Sequence, residues 1–245
     1  MILKKIRSIT PGIYQILRNS YRNFLFKITS SKSKFQNLLS QCQTNEEVFM
    51  LTQKIIPSAQ VKSEILALID FLNINAPSSY LEIGLSTGGT HFLIRYLCPS
   101  IKNSIGIDID IQNTHIIDTL TQTSSFHYLQ GRSDSQETLK SLGILLKPNT
   151  LDILFIDGDH SFEGVKRDFE YYSRFVRDGG FIVFHDIVAD HNQRWGKPTD
   201  KWSGGVPDFF REISKKYLSH EFVEDQNQDG YGIGVIIYNS QINTN

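Results

Sequence analysis

The chain has 245 residues, 40% of them hydrophobic and 21% charged, with a formal net charge of −1. That length holds one sizeable α/β domain plus an extension, and the composition is that of a soluble globular protein. No apolar run approaches the roughly 18 residues of a membrane span, so no transmembrane helix is expected. Charge is unevenly spread. The first 45 residues hold eight basic residues (Lys4, Lys5, Arg7, Arg18, Arg22, Lys27, Lys32, Lys34) and no acid, leaving 17 basic against 26 acidic residues in the rest. A nucleic-acid enzyme would concentrate positive charge around its site, so no nucleic-acid partner is expected. Cys42 and Cys98 stand far apart, with neither metal-type spacing nor a disulfide framework, which fits a reducing cytoplasm. Thr10-Pro11-Gly12 interrupts any signal-peptide core, although an acid-poor start also resembles a transit peptide.

In chain order, residues 1–56 read as a basic helical extension and 57–245 as the main domain. Ile13, Ile16, Leu17, Tyr21, Phe24, Leu25 and Ile28 recur at helical spacing with basic residues between them. Such a helix packs on the main domain or on a second subunit, which points to a homo-oligomer; a membrane surface is the other partner it could take. A linker is expected over 30–34. From Val61 a helix carries Ile65, Leu66, Ile69 and Leu72 on one face. Strands are then expected over 80–84, 104–108, 126–130, 151–157 and 180–185. The helices between them are expected after Gly88 through Tyr96, from Thr114, from Asp134 and over 162–175. A helix over 206–217 leads to two final runs, 221–224 and 232–238, antiparallel to one another. This alternation predicts a doubly wound, Rossmann-like, mostly parallel seven-stranded sheet with an antiparallel last strand.

The first strand ends in Glu82-Ile83-Gly84-Leu85-Ser86-Thr87-Gly88-Gly89. Glycines there permit a tight turn and close backbone approach to a ligand. The spacing is not that of a dinucleotide fingerprint, and no Gly-Lys-Ser/Thr phosphate loop is present. Glu82 would repel a phosphate but could accept from a cationic or hydroxylated ligand. Asp108, ending the second strand, can accept both hydroxyls of a ribose or can cap a helix. Ser133 and Asp134, after the third strand, can flank an adenine edge or cap the next helix.

The stretch LDILFIDGDHSFEGVKRDFEYYSRFVRDGGFIVFHDIV, residues 151–188, is the densest in chemistry. Its two apolar runs read as adjacent buried parallel strands, the second beginning after a Gly-Gly break. Ligands bind at the carboxyl ends of such strands, where Asp157 and Asp186 fall. Two converging carboxylates suit Mg²⁺. His185 either joins them, which favours Mn²⁺ or Fe²⁺, or points into the sheet. Asp159 reads as a turn or capping group, and Glu163 with Arg167 as a helix-surface ion pair. The loop over 191–202 is a candidate substrate lid, with Trp195 and Trp202 as walls, or an ordinary surface loop. His91, His115, His127 and His220 have no constellation around them.

Taken together, residues 60–238 resemble the class I S-adenosylmethionine-dependent methyltransferases. Residues 156–188, with Gly204-Gly205-Val206-Pro207-Asp208-Phe209-Phe210 and Gly232-Ile233-Gly234-Val235, resemble the small-molecule O-methyltransferase group of catechol, macrolide-sugar and cephalosporin hydroxylase type. The resemblance implies that Glu82, Gly84, Ser86 and Gly88 line the methionine and ribose end of the methyl donor. It further implies that Asp108 holds the ribose and that Ser133 and Asp134 flank the adenine. It gives Asp157 and Asp186 to a divalent metal, Mg²⁺ or Mn²⁺, with His185 standing where sugar-methylating relatives carry a further acid. In those relatives an Asp-x-x-His places a general base, here His160, which otherwise reads as a cap or surface residue. The expected activity is methyl transfer to a hydroxyl of a small molecule, a sugar or natural-product scaffold. The alternative is a nucleoside-binding, non-catalytic partner subunit of a biosynthetic complex. Hydride transfer with a dinucleotide is disfavoured by the glycine spacing and by Glu82.

Overall fold

The computed structural model describes residues 32–117, 125–148, 150–190, 193–194, 197–198 and 202–244. The helix expected over 13–28 and Trp195 lie outside them. The chain divides into two units, Met1–Pro57 and Ser58–Asn245. In the first, helix α1 (Lys32–Gln41) begins inside the expected linker, and α2 (Asn45–Ile55) follows. Thr44 caps α2 in a capping box: its side chain accepts from the Glu47 amide at 3.2 Å and the Glu47 carboxylate accepts from the Thr44 amide at 3.3 Å.

The second unit opens with α3 (Lys62–Asn75) and then alternates strand and helix. These are β1 (Ser79–Ile83), α4 (Gly89–Leu97), β2 (Asn103–Asp108), α5 (Thr114–Ile117), β3 (Ser125–Gln130), α6 (Gln136–Leu145), β4 (Leu151–Ile156), α7 (Phe162–Tyr172) and β5 (Val176–His185). A short hairpin, β6 (Gln193–Arg194) with β7 (Lys197–Pro198), precedes α8 (Val206–Ile213), β8 (Ser219–Phe222) and β9 (Ile233–Ile237). The seven-stranded sheet runs β3-β2-β1-β4-β5-β9-β8. Its first five strands pair in parallel, and β9 is antiparallel to both β5 and β8. This is the doubly wound sheet expected. Right-handed crossovers leave β1 and β4 in opposite directions, so their helices cover opposite faces. Every residue of β1 and β4 is consequently buried. Among the described residues no helix is long and apolar enough to cross a membrane.

Four of the boundaries that differ from expectation have a local reason. β5 begins at Val176, so the Gly-Gly pair lies inside the strand: Gly179 takes φ +74°, and the pairing with β4 shifts register between Leu151 and Ile153. The glycines allow an irregular stretch of strand rather than ending a helix. α6 begins at Gln136 because Ser135, not Asp134, accepts from the Thr138 amide. α7 tightens into a 3₁₀ turn, Ser173–Phe175, before β5. α8 stops at Ile213, short of the expected Tyr217.

Candidate active site

The strand order reverses between β1 and β4, and the crevice at such a reversal is where doubly wound sheets bind ligands. Gly84 leaves β1 here with φ +91°, and a Cβ on it would stand 1.9 Å from the Asp157 carbonyl oxygen. Only glycine lets the two strand ends cross this closely. Gly88, at φ +86°, starts α4, and a Cβ there would meet the Ile117 side chain at 2.5 Å. Asp108 caps no helix. Its carboxylate accepts from the Ser86 amide at 2.7 Å and the Asp110 amide at 2.9 Å, spanning the mouth of the Gly84–Gly88 turn. Exposed Ile109 follows it.

Glu82 is turned inward. One of its oxygens accepts from the Tyr80 hydroxyl at 2.5 Å and faces His91 Nδ1 at 2.9 Å, while His91 Nε2 meets the Ser104 hydroxyl at 3.1 Å. Burial, the main influence on both groups, pushes the Glu82 carboxyl up and the His91 imidazole down, so each is driven toward its neutral form. Glu82 therefore braces β1 against α4 and β2 from beneath the turn. The Ser133 carbonyl accepts from the Tyr172 hydroxyl at 2.7 Å, and Asp134 pairs with Arg132 at 2.8 Å and Arg167 at 3.6 Å. Arg167 reaches Asp159 at 3.5 Å and Asp134 instead of the expected Glu163. Asp159 accepts from the Ser161 amide at 2.9 Å, a turn-closing role.

Beyond the ends of β4 and β5 the expected acids converge. Asp157, His160 and Asp186 each offer a ligand atom within 4.8 Å of the others. His160 stands 3.5 Å from Asp157 through Nε2 and 3.5 Å from Asp186 through Nδ1. His185, only 3% exposed, faces the acids rather than the sheet: its Nδ1 is 3.1 Å from Asp157 Oδ1 and 3.5 Å from Asp186 Oδ2. Asp186 takes φ +62°, a left-handed conformation that aspartate tolerates better than most residues. Strain of this kind gathers at functional sites.

Electrostatics explains how the cluster holds together. Burial works to raise the Asp157 carboxyl, but the charge of His185 and the bonds from His160 and His185 outweigh it and bring it down to about 2. Burial likewise opposes charge on His160, yet Asp157, the Trp202 carbonyl and Asp186 together lift its imidazole to about 9. Two carboxylates therefore draw positive charge to one point, and here the imidazoles supply it. Two carboxylates are a donor set that suits Mg²⁺ or Mn²⁺, and an imidazole joining them favours Mn²⁺ or Fe²⁺.

Sequence reasoning missed four parts of this site. Gln60 donates from Nε2 to Asp157 Oδ2 at 3.3 Å. The Trp202 carbonyl accepts from His160 Nδ1 at 2.8 Å, and backbone groups carry no sequence signal. Trp202 itself is 63% exposed, its ring 6.0 Å from that of His160. Asp190 folds the segment after β5 back on itself, accepting from the Trp202 amide at 2.8 Å, the Ser203 amide at 3.0 Å and the Ser203 hydroxyl at 2.6 Å. An acid just after the HDIV stretch was the only available signal. Tyr231, with φ +62°, sets its ring 6.3 Å from that of His185. Gly204 and Gly205 closely pack the backbone of His160 and Phe162, since a Cβ would fall 2.2 Å and 2.4 Å from them.

Residues 81–187 match the model of a methyltransferase-domain family. Among curated proteins, uncharacterized protein R132 of Acanthamoeba polyphaga mimivirus is 36% identical over 124 residues, 48% of this chain and 53% of that protein. The chain thus spans about half the length of that relative. Two solved structures share the fold. The O-methyltransferase from Bacillus cereus, in complex with SAH, has a TM-score of 0.54 at 17% identity, covering 84% of this chain and 97% of that one. The O-methyltransferase TomG from Streptomyces achromogenes, involved in tomaymycin synthesis and solved with SAM, has a TM-score of 0.55 at 16% identity, covering 86% and 96%. The sheet order and these likenesses make the fold that of the class I methyltransferases.

Proposed function

We propose that this chain, whose residues 81–187 match a methyltransferase-domain family, transfers a methyl group from S-adenosylmethionine to a hydroxyl oxygen of a small molecule with the help of a divalent cation. The observation that carries the reading is the meeting of Asp157, His160 and Asp186 on the rim that also bears the Gly84 turn. The neighbours solved with SAH and SAM support the choice of donor. Asp108, already fixed by two amides, would take the ribose hydroxyls, with Ile109 beside it as an apolar wall for the base. Gly84, Ser86 and Gly88 would let the donor lie against the backbone. Ser133 and Asp134 would meet the edge of the adenine, and Glu82 would hold the turn from below.

Asp157 and Asp186 would hold Mg²⁺ or Mn²⁺, with the imidazoles of His160 and His185 within reach of the same acids. Bound there, the cation would lower the pKa of an acceptor hydroxyl. Positive charge on the acids removes the reason for His160 to carry a proton. With Nδ1 donating to the Trp202 carbonyl, Nε2 is left as the basic nitrogen. His160 would take the hydroxyl proton as the oxygen–carbon bond forms and the carbon–sulfur bond of the donor breaks. Alignment of the acceptor with the methyl group supplies much of the rate in such a displacement. Sugars and natural-product scaffolds are the acceptor class proposed, and TomG's role in tomaymycin synthesis is compatible with it. The test is methyl transfer from labelled S-adenosylmethionine to a panel of hydroxylated metabolites and glycans. Activity should vanish with EDTA and return with Mg²⁺ or Mn²⁺. Activity that persists in EDTA would remove the cation from the mechanism.

A further inference from the structure

We infer that Gln60 is a positioning residue for the cation site, holding one oxygen of Asp157 so that the other faces the histidines. The inference rests on the metal-dependent reading above. Gln60 lies just before α3 and is 6% exposed. Its Nε2 donates to Asp157 Oδ2 at 3.3 Å, while Asp157 Oδ1 faces His185 at 3.1 Å and His160 at 3.5 Å. The two oxygens of one carboxylate thus have separate tasks. The amide orientation is dictated by chemistry: turned over, it would set an amide oxygen against a carboxylate oxygen, two acceptors in contact.

A second observation points the same way. Gln60 Oε1 and His185 Nε2 are buried and have no hydrogen-bond partner among the described residues. A fold selected for stability alone would not keep a buried glutamine with half its amide unsatisfied when methionine fills a similar volume. What glutamine offers and methionine lacks is an uncharged donor that steadies a carboxylate without neutralising it. An arginine or lysine here would compete with a cation for Asp157, whereas an amide leaves the negative charge available. Outer partners of ligating groups fix the orientation of the ligand atom, and losing one typically weakens metal binding about 10–100-fold.

The test compares the full-length wild type with Gln60→Met and Gln60→Ala, each loaded with S-adenosylhomocysteine and titrated with Mn²⁺ by electron paramagnetic resonance. Both variants should bind Mn²⁺ about 10–100-fold more weakly while S-adenosylhomocysteine affinity stays at the wild-type level. Gln60→Met should match Gln60→Ala in Mn²⁺ affinity although it restores the side-chain volume. Wild-type Mn²⁺ affinity in Gln60→Met would show that Gln60 merely packs, and would overturn the inference while leaving the cation site standing. A wild type that binds no Mn²⁺ would overturn both.

Discussion

Strand β4 has an aspartate at each end, and the two are held in different ways. Asp152, at the amino-terminal rim, accepts from the Ser78 amide at 2.8 Å and hydroxyl at 2.7 Å, from the Ser79 amide and hydroxyl at 3.0 Å each, and from Arg177 Nε at 2.6 Å. Asp157, just past the carboxyl-terminal end, is met by two imidazoles and one amide. Both carboxyls lie at about 2, although burial works against the charge in each. The same acidity therefore has two origins. Around Asp152 the donors are permanent and saturate the carboxylate, so it ties the amino-terminal rim together and has nothing left to offer. Around Asp157 the main partners are histidines, which can lose their protons or turn to a ligand. A carboxylate whose partners are exchangeable is the one a ligand can reach, and its pKa alone does not distinguish it from a structural acid.

The largest effect should come from removing Asp157. Asp157→Ala should cut turnover about a thousandfold or more, the combined loss of cation and base positioning. Activity near wild type would erase the contrast between the two rims. Asp152→Ala should do the opposite, costing roughly 2–3 kcal/mol of stability by leaving the serine and arginine donors unmatched, with specific activity of the folded protein preserved. Because the Asp152 carboxyl is depressed from 3.8 to about 2, its contribution is present above pH 3.8 and is lost as pH falls through about 2. Urea midpoints should therefore show the full gap between wild type and Asp152→Ala at pH 7 and a closing gap below about pH 4.

A smaller effect sharpens the comparison from a third carboxylate. Asp168 on α7 is 1% exposed, with only Ser133 and the charge of Arg167 to favour its ionised form. Burial, the main influence, lifts it from 3.8 to about 6. A raised acid has the reverse sign: its cost is absent below pH 3.8 and complete above about pH 6. Asp168→Asn should thus stabilise the protein by on the order of 1–2 kcal/mol at pH 7.5 and by almost nothing near pH 4. Calorimetric midpoints at the two pH values check this; an equal gain at both would mean that charge burial is not the cause.

Much of this arrangement was legible in the residues. β1, β2, β3 and β4 lie within one or two residues of the expected strands, because each is a short run with apolar and aromatic residues at its centre, bounded by polar and turn-forming residues. Asp157 and Asp186 follow from the strand ends. What was hidden is hidden for physical reasons. β5 starts four residues early because a glycine pair can bend a strand as readily as it can end a helix. The direction of His185 depends on which face of β5 the last residue presents, and the run over 180–185 is buried throughout, with no alternation to reveal it. His91 stood alone in the sequence, yet it meets Glu82 nine residues away only because β1, the turn and α4 fold back on one another. Gln60 is 97 residues from Asp157, and an isolated glutamine before a helix carries no pattern.

The most direct measurement is a crystal structure grown with S-adenosylhomocysteine and Mn²⁺, with the ion located by its anomalous scattering. A manganese peak bonded to the Asp157 and Asp186 carboxylates is expected, with the nucleoside ribose on Asp108. A manganese ion bound away from both acids, or a nucleoside seated anywhere other than the Gly84–Gly88 turn, would contradict the proposed site.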